Sequence, residues 1–374
     1  MVHVILISLS SNKLLRQEYF YTLIVKTSHK KIVTLMIIIC LMTSCGGGSS
    51  GNSSPSVSTN GNAVSESEET QDAGNISINT DPICEEYQSE TIVTDNQTAV
   101  EVSIKRCMMK HDGLDRSFYM YVPETYSNST INKSLLFSLH GYTSNALYHM
   151  RTTGFKEIAS TEGFIVIYPQ GSILQSTGAT HWNVGGWTTS STTDDVGFIE
   201  TIIQFMAINF RIDTDRIYST GMSNGGFMSY HLACNLGSKV AAIASVTGSM
   251  TRETYEACDP DHPIPIMQIH GVKDEVVPYA GNSGMKAIED VIDYWSQNDR
   301  CDATPDTEVI PDLNQDGSGG MKTSFMNCQN EVEVTLYLLD SMEHEWPLGD
   351  KHDLDAPSTI WQFLSRFNRY GSVD

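Results

Sequence analysis

Basic residues are scarce in this sequence: 23 Lys and Arg stand against 45 Asp and Glu in 374 residues, a net charge of −22. Five of the basic residues (Lys13, Arg16, Lys26, Lys30 and Lys31) and one acid, Glu18, fall within the first 44 positions. The rest of the chain therefore carries 18 basic against 44 acidic residues, a net charge of −26. Such a field repels nucleic acid and anionic lipid, which excludes both as partners. No Cys-x-x-Cys spacing occurs among the eight cysteines, so the usual framework of a structural zinc site is missing. The apolar run Ile32 to Met42 has eleven residues, too few to span a bilayer. No internal repeat is evident.

What surrounds that apolar run gives it another meaning. Lys30-Lys31 precede it and Thr43-Ser44-Cys45 follow, the order of basic flank, apolar core and small residues that marks a secretory signal. Residues 1–44 are therefore expected to be a signal peptide. The Thr-Ser-Cys ending resembles a bacterial lipobox, although Met42 stands where Leu is usual. The resemblance implies cleavage before Cys45 and acylation of its thiol, so that the membrane is met through a lipid anchor alone. Residues 1–29 are unusual for a signal and suggest an over-extended start. Gly, Ser, Asn, Thr and acidic residues dominate 46–81, and its few scattered apolar side chains cannot build a core, so 45–81 reads as an acylated cysteine and flexible linker.

Residues 82–374 are long enough for one large core, and no second linker divides them. Near-continuous apolar runs recur at Phe118 to Val122, Leu135 to Leu139, Phe164 to Tyr168, Ile217 to Thr220, Ala241 to Val246, Ile264 to Ile269 and Val332 to Leu339. Runs of this kind suit parallel strands buried on both faces. Between them Ile199, Ile202, Ile203 and Met206 follow helical spacing, as do Ile288, Val291, Ile292 and Trp295, and Ile360, Phe363, Leu364 and Phe367. The alternation predicts an α/β fold, a mostly parallel central sheet with helices on both faces. Beyond Cys40 and Cys45, six cysteines remain in what reads as an exported chain, where disulfides are expected. Six allow 15 pairings; we expect neighbours to join, as Cys84–Cys107, Cys234–Cys258 and Cys301–Cys328.

The most informative segment is Arg216-Ile217-Tyr218-Ser219-Thr220-Gly221-Met222-Ser223-Asn224-Gly225-Gly226. A strand-like run enters Gly-x-Ser-x-Gly and a helical segment follows, the pattern of the nucleophile elbow in the α/β-hydrolase fold. That fold supplies its triad in the chain order nucleophile, acid, histidine. Ser223 is the candidate nucleophile. Asp274 lies past the end of the Ile264 to Ile269 strand and is chosen as acid over adjacent Glu275. His344 lies past the last long strand and is chosen as base, with His352 as the fallback. The N–H of Asn224 opens the helix after the serine and serves as one oxyanion donor. The N–H of Tyr142, after Leu139-His140-Gly141, is the second.

Together with Gly163 to Gly171, His181-Trp182-Asn183, Asp194 to Ile199, His270-Gly271-x-x-Asp274-x-x-Val277-Pro278-Tyr279 and His344-x-Trp346-Pro347, these segments resemble the esterase family named after polyhydroxybutyrate depolymerases. That family also includes feruloyl and acetylxylan esterases. The resemblance covers roughly 110–370 and implies Ser223, Asp274 and His344 as triad. It also suggests the Cys234–Cys258 and Cys301–Cys328 bridges. Two departures are visible: Met342-Glu343 stand where glycines often precede the histidine, and Tyr142 stands where Cys is frequent.

Long loops over such a site tend to bind substrate, and the Ser/Thr-rich stretch between Gly171 and Val196 carries Trp182 and Trp187. Trp182 reads equally as a substrate-stacking ring or as a plug holding the loop down. Asp195 reads as a helix cap. Asp312, Asn314 and Asp316 begin a calcium-loop pattern, but Thr323 occupies the twelfth position where a bidentate Glu is needed, so an acidic turn is the preferred reading.

The expected function is a lipid-anchored, exported serine esterase needing no cofactor. Polymer-degrading relatives often carry an extra binding domain, and none is recognised here, which points to soluble esters: hydroxyalkanoate oligomers, or feruloyl and acetyl esters of polysaccharide fragments. The alternatives are a serine peptidase on the same fold, or an inactive surface-binding lipoprotein.

Overall fold

The structure, a computed structural model, describes residues 81–93, 99–313, 315–349 and 351–373, together with three strands nearer the N-terminus. The chain divides into the units Met1–Asn75 and Ile76–Asp374. In the first, β1 (Leu6–Leu9), β2 (Phe20–Lys26) and β3 (Ile32–Ile37) pair antiparallel in sequence order. β3 takes up the start of the apolar run. Cys45 and residues 46–80 of the expected linker lie outside the described residues.

The second unit is built on one eleven-stranded sheet. Its strands are β4 (Ile83–Val93), β5 (Ala99–His111), β6 (Leu114–Tyr121), β7 (Lys133–Leu139), β8 (Ile165–Pro169), β11 (Ile212–Met222), β12 (Ala242–Val246), β13 (Ile266–Gly271), β14 (Asp306–Ile310), β15 (Gly320–Phe325) and β16 (Val334–Leu339). The short strands β9 (Ser172–Leu174) and β10 (Ala179–His181) form a separate hairpin. In space the large sheet runs β14-β15-β16-β13-β12-β11-β7-β8-β6-β5-β4. The six strands from β16 to β8 are parallel. Antiparallel strands extend both edges.

The parallel centre follows from the apolar runs, because side chains alternate between faces. Leu135, Phe137, Leu139, Ile165, Ile167, Ile243 and Ile266 enter one core with residues of α3 (Asp195–Asn209), α4 (Asn224–Leu236) and α6 (Ile288–Asn298). Leu136, Val166, Tyr168, Ala242, Ala244, Met267 and Ile269 enter the other with α1 (Ala146–Thr152), α2 (Phe155–Glu162) and α7 (Ala356–Leu364). The short α5 (Arg252–Ala257) follows β12. Helices thus cover both faces, as expected. One detail differs: α7 stops at Leu364, and Phe367 instead begins the two-residue strand β17 (Phe367–Asn368), paired with β18 (Gly371–Ser372).

All three expected disulfides are formed. Cys84 and Cys107 face each other across the β4–β5 register. Cys234, near the end of α4, is joined to Cys258 at the end of α5. Cys301, just after α6, is joined to Cys328, just after β15.

Candidate active site

Ser223 stands between β11 and α4 with φ 54° and ψ −122°. A non-glycine residue is rarely held at positive φ, and the cost is of order 1–3 kcal/mol, so the surroundings must impose it. They do so through close backbone approach. A Cβ on Gly225 would lie 2.1 Å from the Leu139 carbonyl oxygen, and one on Gly221 would lie 2.5 Å from the Gly225 carbonyl carbon. Only glycine lets α4 start this close to β7. The Ser223 N–H is meanwhile fixed to the Val246 carbonyl at 2.8 Å. The turn leaves the Asn224 N–H at the head of α4, where a helix has no carbonyl of its own to offer.

Asp274 and His344 meet at the same end of the sheet. The His344 Nδ1–H donates to Asp274 Oδ2 at 2.8 Å. That bond leaves Nε2 as the nitrogen with a free lone pair. Asp274 is buried, and its other oxygen accepts the N–H groups of Val276 and Val277 at 2.9 and 2.8 Å. Burial alone would raise this carboxyl, but the hydrogen bond from His344 and the Val277 N–H outweigh it and hold it below its ordinary value. Glu275 is exposed, so the adjacent carboxylate has no part in this arrangement. His352 does not serve either: it is buried and faces Glu345 at 3.4 Å.

The loop before the histidine is pinned at Met342. Met342 is fully buried in the core, and the Lys273 N–H donates to its carbonyl at 3.1 Å. A Cβ on Gly271 would lie 2.0 Å from that same carbonyl oxygen. Met342 therefore anchors the approach to His344 in the core.

His140 organises the other side. The Gly171 N–H donates to its Nε2 at 2.9 Å and its Nδ1–H donates to the Gly141 carbonyl at 2.8 Å, so both nitrogens are committed and the ring is neutral. Burial holds it down at about 4. The turn that follows is closed by the Ser144 N–H on the Gly141 carbonyl, with Thr143 at φ 66°, the position where a type II turn requires positive φ. Tyr142 sits inside that turn with its hydroxyl 2.7 Å from Thr177 Oγ1.

Trp182 is wholly buried, and its indole N–H donates to the His140 carbonyl at 2.9 Å. Its backbone pairs both ways with the Asn224 side chain: the Trp182 N–H reaches Asn224 Oδ1 at 2.7 Å, and Asn224 Nδ2 reaches the Trp182 carbonyl at 3.2 Å. The substrate-stacking reading of Trp182 is thus corrected: the ring is a plug, drawn in by a carbonyl that needs a donor. Trp187 stays 38% exposed and stands edge-on to Phe227, their centroids 4.9 Å apart. Asp195 is corrected as well. Asp194 caps α3 by accepting from the Gly197 N–H at 2.8 Å, while Asp195 is buried against Arg116 at 2.6 Å and accepts the Asn183 N–H at 2.8 Å. A buried guanidinium demands a carboxylate more strongly than a helix end does.

Ser223 and His344 share a cleft of about 610 Å³ with Gly141, Tyr142, Trp346 and residues of α1. The wall built by α1 has no counterpart in the sequence reading. Its signal was Asn145, whose side chain accepts the Tyr148 N–H and caps the helix, but seven residues leave no apolar stripe to read. At the acidic turn, Asp312 accepts the N–H groups of Asp316 and Gly317. Asp312, Asp316 and Asp353 lie close together and exposed or half-exposed, and Asn314 is outside the described residues. Asp312 thus holds the turn that the sequence predicts, and each of its oxygens keeps a further lone pair.

The sequence of residues 116–282 matches the family described as esterase PHB depolymerase. Over this stretch the chain is similar to that family. Ser223 and Asp274 fall inside the matched residues, and His344 lies beyond them. A bifunctional acetylxylan esterase/xylanase of Neocallimastix patriciarum is 28% identical over 265 residues, 71% of this chain and 35% of that protein. Feruloyl esterase D of Neurospora crassa is 31% identical over 187 residues, 49% of this chain and 59% of the relative. A probable feruloyl esterase C of Aspergillus clavatus is 27% identical over 255 residues, 67% of this chain and 83% of the relative. The chain thus spans about a third of the first relative and three-fifths of the second.

Proposed function

We propose that the protein is an exported serine esterase acting through Ser223, His344 and Asp274. The observation that carries this reading is the 2.8 Å bond from His344 Nδ1 to a buried, doubly amide-bonded Asp274, in one cleft with a serine held at positive φ. Nε2 takes the Ser223 proton as Oγ attacks the ester carbonyl, and Asp274 stabilises the imidazolium that forms. The Asn224 and Tyr142 N–H groups receive the oxyanion. His344 then protonates the departing alcohol, and water releases the acyl group by the same steps in reverse. No cofactor enters this scheme.

The relatives named for acetylxylan and feruloyl esters support small acyl groups on polysaccharide fragments as substrates, with hydroxyalkanoate oligomers suggested by the family. Three disulfides suit an oxidising compartment. We place the protein there as a lipoprotein, with residues 1–44 as its signal, acyl chains on Cys45, a tether to residue 81 and a catalytic domain over 82–374.

A fluorophosphonate probe tests the chemistry, since only an activated serine reacts. It should label wild type and not Ser223→Ala, and Ser223→Ala should lose ester hydrolysis while keeping its fold. An unlabelled, well-folded wild type would favour a binding lipoprotein instead. Cys45→Ser should move the protein from the membrane fraction to the soluble one; unchanged membrane retention rejects the anchor.

A further inference from the structure

We propose that the cleft selects esters whose alcohol portion carries a carboxylate, received by Arg151 and Lys351. The inference rests on the esterase reading and names a substrate class for it. Both side chains line the cleft that holds Ser223 and His344. Both are exposed, Arg151 on α1 and Lys351 on the loop that follows His344. Arg151 gives one hydrogen bond, from Nη2 to the neutral amide of Gln88 at 3.2 Å. No carboxylate forms an ion pair with either cation among the described residues. The one acid lining the cleft, Glu345, lies 3.4 Å from His352 Nε2. Two cations without a carboxylate partner among the described residues, in the cleft of the nucleophile, are a marked concentration in a chain with 23 basic and 45 acidic residues.

The chemistry decides which half of the ester they face. The leaving oxygen must come within reach of the proton on His344 Nε2, so the alcohol extends along the wall that carries the histidine. Glu345, Trp346, Leu348 and Lys351 form that wall, and Arg151 stands on α1. A carboxylate there gains two charge-assisted contacts. The local cations also offset the repulsion that the strongly acidic remainder of the molecule exerts on an anionic substrate. Two sources fit: the free acid end of a hydroxyacid oligomer, and a uronate beside an acetylated sugar.

Two matched substrate pairs provide the test: a hydroxybutyrate dimer as free acid and as its methyl ester, and an acetylated xylo-oligosaccharide with and without a uronate. The quantity read is the ratio of kcat/KM within each pair, so any general loss of activity cancels. Wild type should prefer the acid of at least one pair, and the pair that shows it identifies the source. The preference should fall by roughly two- to fivefold in Arg151→Gln or Lys351→Gln and by about tenfold in the double variant, the scale of partly exposed ion pairs. It should also shrink with added salt. Cleavage of the neutral members with no preference in either pair overturns the inference and leaves the esterase standing. A preference that survives the double variant also overturns it. Failure to cleave any of the four esters while folded counts against the esterase reading itself.

Discussion

His270 and Asp274 grip the same residue. The His270 Nε2–H donates to the Val277 carbonyl at 2.8 Å, and the Val277 N–H donates to Asp274 Oδ1 at 2.8 Å. Behind His270, its Nδ1 accepts from Gln268 Nε2 at 3.0 Å, and Gln268 Oε1 accepts from the Tyr230 hydroxyl at 2.9 Å. In the proposed mechanism His270 is therefore a positioning residue, bonded to the loop that carries the acid. His270→Ala should lower kcat by about tenfold with little change in KM, and His270→Gln, which keeps a donor near Nε2, should recover part of it. Equal kcat in wild type and His270→Ala rejects this brace.

Asp274→Asn should cost far more. The change removes the acceptor that selects the Nδ1–H tautomer of His344, and in a serine protease it cost roughly 10⁴ in turnover. Glu275→Gln should be nearly silent, because Glu275 is exposed. Steady-state rates on any cleaved ester decide the matter; a larger loss in Glu275→Gln reverses the assignment.

Acid should weaken the fold before it silences the acid residue. Burial pushes His140 to about 4, His149 to about 3 and His231 to about 4, from an ordinary 6.5. A histidine with a depressed folded pKa takes up its proton first in the unfolded chain. Its contribution is whole above 6.5 and is lost as pH falls towards 4. Asp299 opposes this: burial lifts it from 3.8 to about 7, and one of its oxygens is buried without a partner, so stability is given up as pH rises between those values. Three groups outweigh one, and Tm should fall as pH drops from 6.5 to 4. Asp299→Asn should raise Tm at pH 8 by roughly 3 °C or more and change it little at pH 4. An equal shift at both pH values defeats the argument.

The Cys301–Cys328 bridge spans 27 positions of sequence, a cross-link worth about 3.5 kcal/mol in the chain-entropy model. It joins the end of α6 to β15, which pairs with β16, the strand that leads to His344. Graded reduction should lower turnover before the near-ultraviolet spectrum of the whole domain collapses. Simultaneous loss of both signals would show that the bridge has no separate hold on the histidine.

The three candidate catalytic side chains were legible because each follows a mainly apolar run, and such runs mark buried parallel strands whatever lies between them. The outer strands were harder. β4 and β5 form an edge ribbon with many exposed positions, among them Glu85, Glu86 and Glu101, so no apolar run announces them. Yet Cys84 and Cys107 lie directly opposite within that ribbon, and only their pairing was anticipated. β14 is almost entirely exposed, which is why the hairpin that the acidic turn at Asp312 closes was not read from an apolar run. Trp182 stayed ambiguous because its fate depends on the His140 carbonyl, 42 residues away in sequence.

The Asn224–Trp182 pairing has a bearing on how such a protein can change its diet. In the proposed mechanism one residue offers its main chain to the reaction, while its side chain holds the covering loop. Segments on either side, about Ile173 and about Trp187, remain partly open to solvent. New recognition surfaces can therefore be grafted at those two tips, while replacement of the knot between them would disturb the chemistry together with the specificity. A loop exchange that keeps positions 181–184 is the route by which one scaffold can be refitted for another ester.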